Sequence, residues 1–246
     1  MAGVMIVGAT SAIARALARE YAAAGEDVLL AGRDAEELES MAADLRVRHR
    51  IRADAVPFDA LAFDTHEALV ERVFADPARA PEGVVVALGY LGDQARAQRD
   101  PAEARRILDT NFTACVSLLN AVANRLEARG SGYVCVLSSV AGDRGRQSNY
   151  LYGAAKGGLS VYLQGLRNRL FHAGVRVVTV KPGFVDTPMT FGKPGVFLVA
   201  PPEKVARGIR RAIRRGRSTV YLPGFWGALM LVIRAIPEPL FKRLRL

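Results

Sequence analysis

Short apolar runs that alternate with helical patterns predict one α/β domain built on a doubly wound, seven-stranded parallel sheet with helices on both faces. Two further observations agree. The first apolar run ends in a glycine turn that opens directly into a helical pattern. The 246 residues suffice for one sizeable core, and no Ser/Pro/Gly-rich linker or internal repeat divides them.

The runs Gly3–Gly8, Asp27–Ala31, Ala55–Phe58, Gly83–Leu88, Gly132–Leu137, Val175–Val180 and Thr219–Leu222 read as strands, because buried parallel strands are near-continuously apolar. Helical patterns lie between them near Ser11–Ala24, Ala35–Arg46, Thr65–Phe74, Pro101–Ala128, Asn149–Phe171 and Pro202–Arg215. Right-handed crossovers then place a ligand at the carboxyl ends of the strands, near the point where strand order reverses. Gly8, Gly89, Ser139 and Pro182 all follow strand ends, so the punctuation of the sequence converges on one sheet edge.

The same edge gathers chemistry. In Tyr152-Gly-Ala-Ala-Lys156 the phenol and the ammonium are four residues apart and share one helix face, while Ser139 ends the apolar run Tyr133–Leu137. One carbonyl oxygen could meet all three groups, which is the equipment for hydride transfer coupled to proton transfer. An ammonium about 4–6 Å away favours phenolate, so the Tyr152 pKa is expected to fall from its usual value near 10.

Composition narrows the alternatives. Cys115 and Cys135 occupy apolar contexts without Cys-x-x-Cys spacing and read as reduced packing residues, which suits a cytoplasmic protein. His49, His66 and His172 lie near no cluster with ligand spacing, so no metal site is expected. Met1–Val7 lacks a basic lead and runs straight into a strand, unlike a signal peptide. The net charge of +10 is concentrated from Glu203 onward, where eleven Lys or Arg face two Glu. Nucleic-acid binding is disfavoured because no aromatic stacking platform accompanies those arginines.

Taken in order, the glycine turn at Gly8, Asn111 in Asp109-Thr-Asn-Phe112, Ser139-Val-Ala-Gly142, Tyr152 with Lys156, and Lys181-Pro-Gly-Phe-Val-Asp-Thr-Pro188 resemble the single-domain short-chain dehydrogenase/reductase family over nearly the whole chain. That resemblance implies a Rossmann-type fold, an NAD(P)(H) cofactor, a homodimer or homotetramer, and hydride transfer between nicotinamide and a carbonyl or alcohol. It makes Ser139, Tyr152, Lys156 and Asn111 the catalytic set: Tyr152 protonates the substrate oxygen, Ser139 holds it, Lys156 bonds the nicotinamide ribose and tunes Tyr152, and Asn111 organises a water for proton replacement.

For the cofactor it implicates Gly8, Thr10, Ser11, Ala12 and Ile13 in the turn, Asp59 at the adenine edge, Gly89, and Pro182, Gly183, Val185 and Thr187 around the nicotinamide. Two family glycines of the turn are replaced here by Ala12 and Ala14, and the family's Asn-Asn-Ala-Gly segment is Val86-Ala87-Leu88-Gly89. Arg33 follows the second strand, where an arginine suits the 2′-phosphate of NADP(H) and an acidic group would suit NAD(H). NADP(H) is therefore favoured, with NAD(H) possible because Asp34 stands beside it.

The segment Phe225–Ile233 is too short to span a bilayer at ~1.5 Å per residue. Residues 224–246 are thus set apart from a 1–223 catalytic domain as a basic, apolar tail for a membrane surface or a subunit interface. Phe58–Leu61, Gly89–Asp93, Asp143–Arg146 and Ile236–Lys242 are similar to the ketoreductases of the decaprenylphosphoryl-ribose 2′-epimerase system, which reduce a 2-keto sugar carried on a polyprenyl phosphate. That implies a lipid-linked carbonyl substrate, work at the inner face of the membrane, and Arg144 or Arg146 on the phosphate. A soluble ketone, steroid or 3-ketoacyl thioester reductase is the competing enzyme, and a catalytically silent dinucleotide sensor or scaffold the competing class.

Overall fold

The computed structural model describes residues 3–192 and 197–244. Seven parallel strands, β1 (Val4–Val7), β2 (Val28–Gly32), β3 (Ala53–Pro57), β4 (Gly83–Val86), β5 (Tyr133–Leu137), β6 (Arg176–Pro182) and β7 (Thr219–Leu222), form one sheet in the order β3-β2-β1-β4-β5-β6-β7. The order reverses between β1 and β4, which pair Val7 with Val86.

The helices are α1 (Ala12–Ala22), α2 (Ala35–His49), α3 (His66–Phe74), α4 (Gln94–Ala97), α5 (Pro101–Leu108), α6 (Ala114–Arg129), α7 (Tyr150–Phe171), α8 (Pro202–Arg214), α9 (Phe225–Ala235) and α10 (Glu238–Phe241). Strand residues alternate between two cores. Val4 and Ile6 pack with α1, α2 and α8, while Met5 and Val7 pack with α3, α6 and α7. Since side chains alternate across a pleated strand, uninterrupted apolar strands are what a sheet covered on both faces requires.

Three features depart from the pattern expected of the sequence. The helix foreseen over Pro101–Ala128 is broken by a π-helical segment, Asp109–Thr113, that carries Asn111. The tail folds as α9 and α10 and packs onto the catalytic edge: Trp226 and Met230 form an apolar cluster with Val140. The basic residues concentrated from Glu203 onward divide. Arg210–Arg217 run toward the start of β7, at the amino edge of the sheet, where Arg210 pairs with Glu26 and Arg176 donates to the Ile213 carbonyl. Of that charge, Arg234, Lys242 and Arg243 remain near α9 and α10.

Candidate active site

The cofactor cradle begins at Gly8, whose φ of 76° lies in the left-handed region and whose added Cβ would stand 2.9 Å from the Ala87 carbonyl. Only glycine closes this turn without strain. Ser11 caps α1, accepting from the Ala14 N–H at 3.4 Å. Among the described residues, the N–H groups of Ala12 and Ile13 bond no other group. Together with the helix dipole, two free donors suit a pyrophosphate. Ala14 is fully buried in the core, so the family's missing glycine is filled by packing rather than by a methyl facing the turn.

A cavity of about 220 Å³ extends from this turn along the strand ends, lined by Gly8, Thr10, Ser11, Arg33, Asp59 and Gly89. Tyr90, Arg106 and Thr110 line it too, and the sequence reading missed them. Thr110 stands beside Asn111 and could have been flagged by that adjacency; Arg106, whose guanidinium lies 4.5 Å from the Tyr90 ring centre, carried no motif signal.

Asp59 is held from behind. His66 is buried and bonds the Asp59 carbonyl and the Ser117 hydroxyl, so this histidine supports the loop that carries Asp59. Arg33 is exposed, whereas Asp34 caps α2 by accepting from the Glu37 N–H. The neighbouring carboxylate is thereby occupied locally, and the cradle fits a dinucleotide.

The reactive groups stand at the ends of β4 and β5. Lys156 is 1% exposed, and its ammonium donates to the carbonyls of Leu88 and Leu137, each at 3.0 Å. Burial lowers its pKa. The ammonium lies 5.8 Å from the Tyr152 ring centre. Contrary to expectation, Tyr152 is not shifted toward phenolate: burial pushes its pKa up to about 12, with hydrogen bonding to Ser139 pulling the other way. Desolvation of the phenol is the larger of the two effects.

Asn111 is fully buried. Its amide donates to the carbonyls of Tyr90 at 2.6 Å and Ile107 at 2.8 Å, and its Oδ1 accepts from the Tyr90 N–H at 3.2 Å. These bonds tie the π segment to the loop after β4.

On the opposite wall, Trp226 packs so closely on Gly183 that an added Cβ would fall 1.9 Å from the indole nitrogen. Met189 reaches within 3.4 Å of the position a Gly89 Cβ would take. Val185 is buried, with Thr187 following on the same loop. The two arginines proposed for a substrate phosphate separate. Arg144 is committed to the tail, paired with Glu238 at 2.7 Å and stacked on Phe241. Arg146 forms no side-chain hydrogen bond or ion pair among the described residues, and burial lowers its pKa.

The Gly8 turn with its cavity, and Ser139, Tyr152 and Lys156 near the ends of β4 and β5, are arranged as a nicotinamide-dependent oxidoreductase requires. The family model for short chain dehydrogenase matches residues 2–193, and the chain belongs to that family. It is 39% identical over 244 residues, covering 99% of this chain and 97% of the relative, to an uncharacterized oxidoreductase of Mycobacterium tuberculosis. It is 32% identical over 200 residues, covering 78% of this chain and 76% of the relative, to a sulfoacetaldehyde reductase of Chromohalobacter salexigens. A short-chain dehydrogenase from Sphingobium yanoikuyae solved in complex with NADPH superposes with a TM-score of 0.82 at 25% identity, over 97% of each chain. The protein is an NAD(P)-dependent oxidoreductase of this family.

Proposed function

We propose that the protein is an NADPH-dependent carbonyl reductase in which Tyr152 gives its proton to the substrate oxygen, Ser139 holds that oxygen, and Lys156 anchors the site from below. The observation that carries this reading is the buried Lys156 ammonium bridging the ends of β4 and β5, 5.8 Å from the centre of the Tyr152 ring. A bound nicotinamide supplies or accepts the hydride. Gly8, Ala12 and Ile13 hold the pyrophosphate, Asp59 and Arg33 the adenosine, and Gly183 and Thr187 border the nicotinamide.

A phenol pushed up to about 12 is a proton donor throughout the neutral range. Ketone reduction is therefore expected to stay level between about pH 6 and 9, while alcohol oxidation, which needs phenolate, rises up to about tenfold per pH unit. Initial rates in both directions across that range check this, and a reduction rate falling through an inflection near neutrality would contradict it. Replacing Arg33 with Ala is expected to raise the Kd for NADPH about 10-fold or more and leave that for NADH nearly unchanged, since hydrogen bonds between charged groups contribute about 1.5–3 kcal/mol. Fluorescence titration with both cofactors reads the difference.

For the substrate we favour a 2-keto sugar on a polyprenyl phosphate. Two observations support it. The desolvated guanidinium of Arg146, in the loop that leads into the Tyr152 helix, would receive a phosphate. Among the described residues, more than half of the exposed large apolar side chains fall at Phe191, at Phe197–Val199 and in Phe225–Leu244, among them Leu231 and Val232.

The two segments touch, Phe197 lying 5.6 Å from Trp226, and Lys242 and Arg243 stand exposed beside them. An apolar face with adjacent cations suits peripheral attachment to an anionic membrane. None of the described helices is long and apolar enough to cross one. A soluble, anionic carbonyl is the second reading, favoured by the sulfoacetaldehyde reductase relative and by the same Arg146.

The deciding assay is NADPH consumption with anionic vesicles, comparing a polyprenylphosphoryl 2-keto-pentose with soluble ketones, sulfoacetaldehyde and 3-ketoacyl thioesters. Preference for the lipid-linked sugar supports the first reading, and preference for a soluble carbonyl overturns it. Arg146→Gln should raise KM for either anionic substrate by about 10-fold. An unchanged KM would place Arg146 outside the site.

A further inference from the structure

Ser139 begins a 3-10 turn, Val140–Gly142, that ends at Asp143. One side of this turn lies directly on the backbone of α7: an added Cβ on Gly142 would stand 2.6 Å from the Gly157 nitrogen, and one on Gly153 would stand 2.9 Å from the Ala141 carbonyl oxygen. The far end is gripped by residues outside the catalytic motifs. Asp143, with its side chain 3% exposed, uses both carboxylate oxygens, one for the Lys181 ammonium and one for the Tyr221 hydroxyl at 2.7 Å. Next to it, Arg144 donates to Glu238 and to the Arg234 carbonyl and lies 4.1 Å from the Phe241 ring centre.

We propose that Asp143 and Arg144 are positioning residues through which Tyr221 and the C-terminal helices hold the Ser139 turn against the Tyr152 helix, making the C-terminal segment part of the reactive geometry. The physical reason is that the turn meets α7 backbone to backbone at Gly142, Gly153 and Gly157. Backbone contact fixes the spacing of the two elements, but a short turn can still rock about that line, and Ser139 sits at its end. Two grips at Asp143 and Arg144 remove that freedom. A shift of Ser139 by a fraction of an ångström weakens its hydrogen bond to Tyr152 and to the substrate oxygen, and such displacements are expensive in rate.

The inference rests on Ser139 and Tyr152 acting on the carbonyl, so Tyr152→Phe is run alongside on the same ketone. Tyr221→Phe and Arg144→Gln are each expected to lower kcat about 10-fold, with the Kd for NADPH unchanged within about twofold. They should also move the pH profile of alcohol oxidation to higher pH, because Ser139 is the group that lowers the Tyr152 pKa. The charge-exchanged pair Arg144→Glu with Glu238→Arg restores the ion pair but not the bond to the Arg234 carbonyl, and should recover part of the kcat that Arg144→Glu alone loses.

Wild-type kcat and an unmoved pH profile in Tyr221→Phe and Arg144→Gln would overturn the proposal while Tyr152→Phe remains inactive. Equal losses of kcat and NADPH affinity would overturn it as well, by showing general loosening. An active Tyr152→Phe would instead overturn the catalytic reading beneath it.

Discussion

Replacing Tyr152 with Phe is expected to leave the fold and NADPH binding intact and to lower kcat for ketone reduction by about 10²–10⁴-fold, the usual contribution of a positioned acid or base. The substitution removes one oxygen from a ring that lies 5.8 Å from the Lys156 ammonium and leaves the lysine's two carbonyl bonds untouched. Neither Lys156 nor Ser139 is suited to replace the lost proton donor. The Lys156 ammonium is committed to the carbonyls of Leu88 and Leu137, and a serine hydroxyl such as that of Ser139 is a far weaker acid than a phenol. Stopped-flow turnover with parallel cofactor titration measures both quantities, and retained turnover would remove Tyr152 from its role.

Gly142→Ala is the second large effect, and it acts through geometry alone. The new methyl would lie 2.6 Å from both the Gly157 nitrogen and the Lys156 carbonyl carbon, and neither helical backbone atom can move aside cheaply. The Ser139 turn must lift from α7. Overpacking of this kind costs about 1–3 kcal/mol of stability. A displacement near 1 Å at a reactive group can cost about 100-fold in rate. We expect kcat to fall by that order, a Tm several degrees lower, and NADPH affinity nearly unchanged, since the Gly8 turn lies on another strand. Thermal unfolding and turnover of the same preparation give both numbers; an unchanged kcat would mean that the turn tolerates separation from the helix.

Both effects were unequally visible in the amino-acid order. Tyr152, Lys156 and Ser139 were legible because their spacing places them at a strand end and on one helix face, and local periodicity suffices to show it. The seven strands were legible because each is an apolar run bounded by turn residues. The role of Gly142 was not, since its neighbours Lys156 and Gly157 are brought against it only when the turn folds onto α7. The direction of the Tyr152 pKa shift was missed for a related reason: the sequence shows a cation one turn away, but not that burial desolvates the phenol while the cation is held by Leu88 and Leu137.

The sequence by itself determined the doubly wound parallel sheet, the family, the spacing of Ser139, Tyr152 and Lys156, and the glycine turn, all of which follow from local chain chemistry. Tertiary structure decided what depends on elements distant in the chain: that Asn111 sits in a π segment clamped to Tyr90, that Asp34 is occupied at a helix cap, and that Arg144 serves Glu238 and Phe241 while Arg146 has no side-chain partner among the described residues. It also carried Arg210–Arg217 to the sheet edge opposite the site and laid Trp226 onto Gly183. Charge counts and spacing are one-dimensional, and only the crossover connections determine which end of the sheet each cluster reaches.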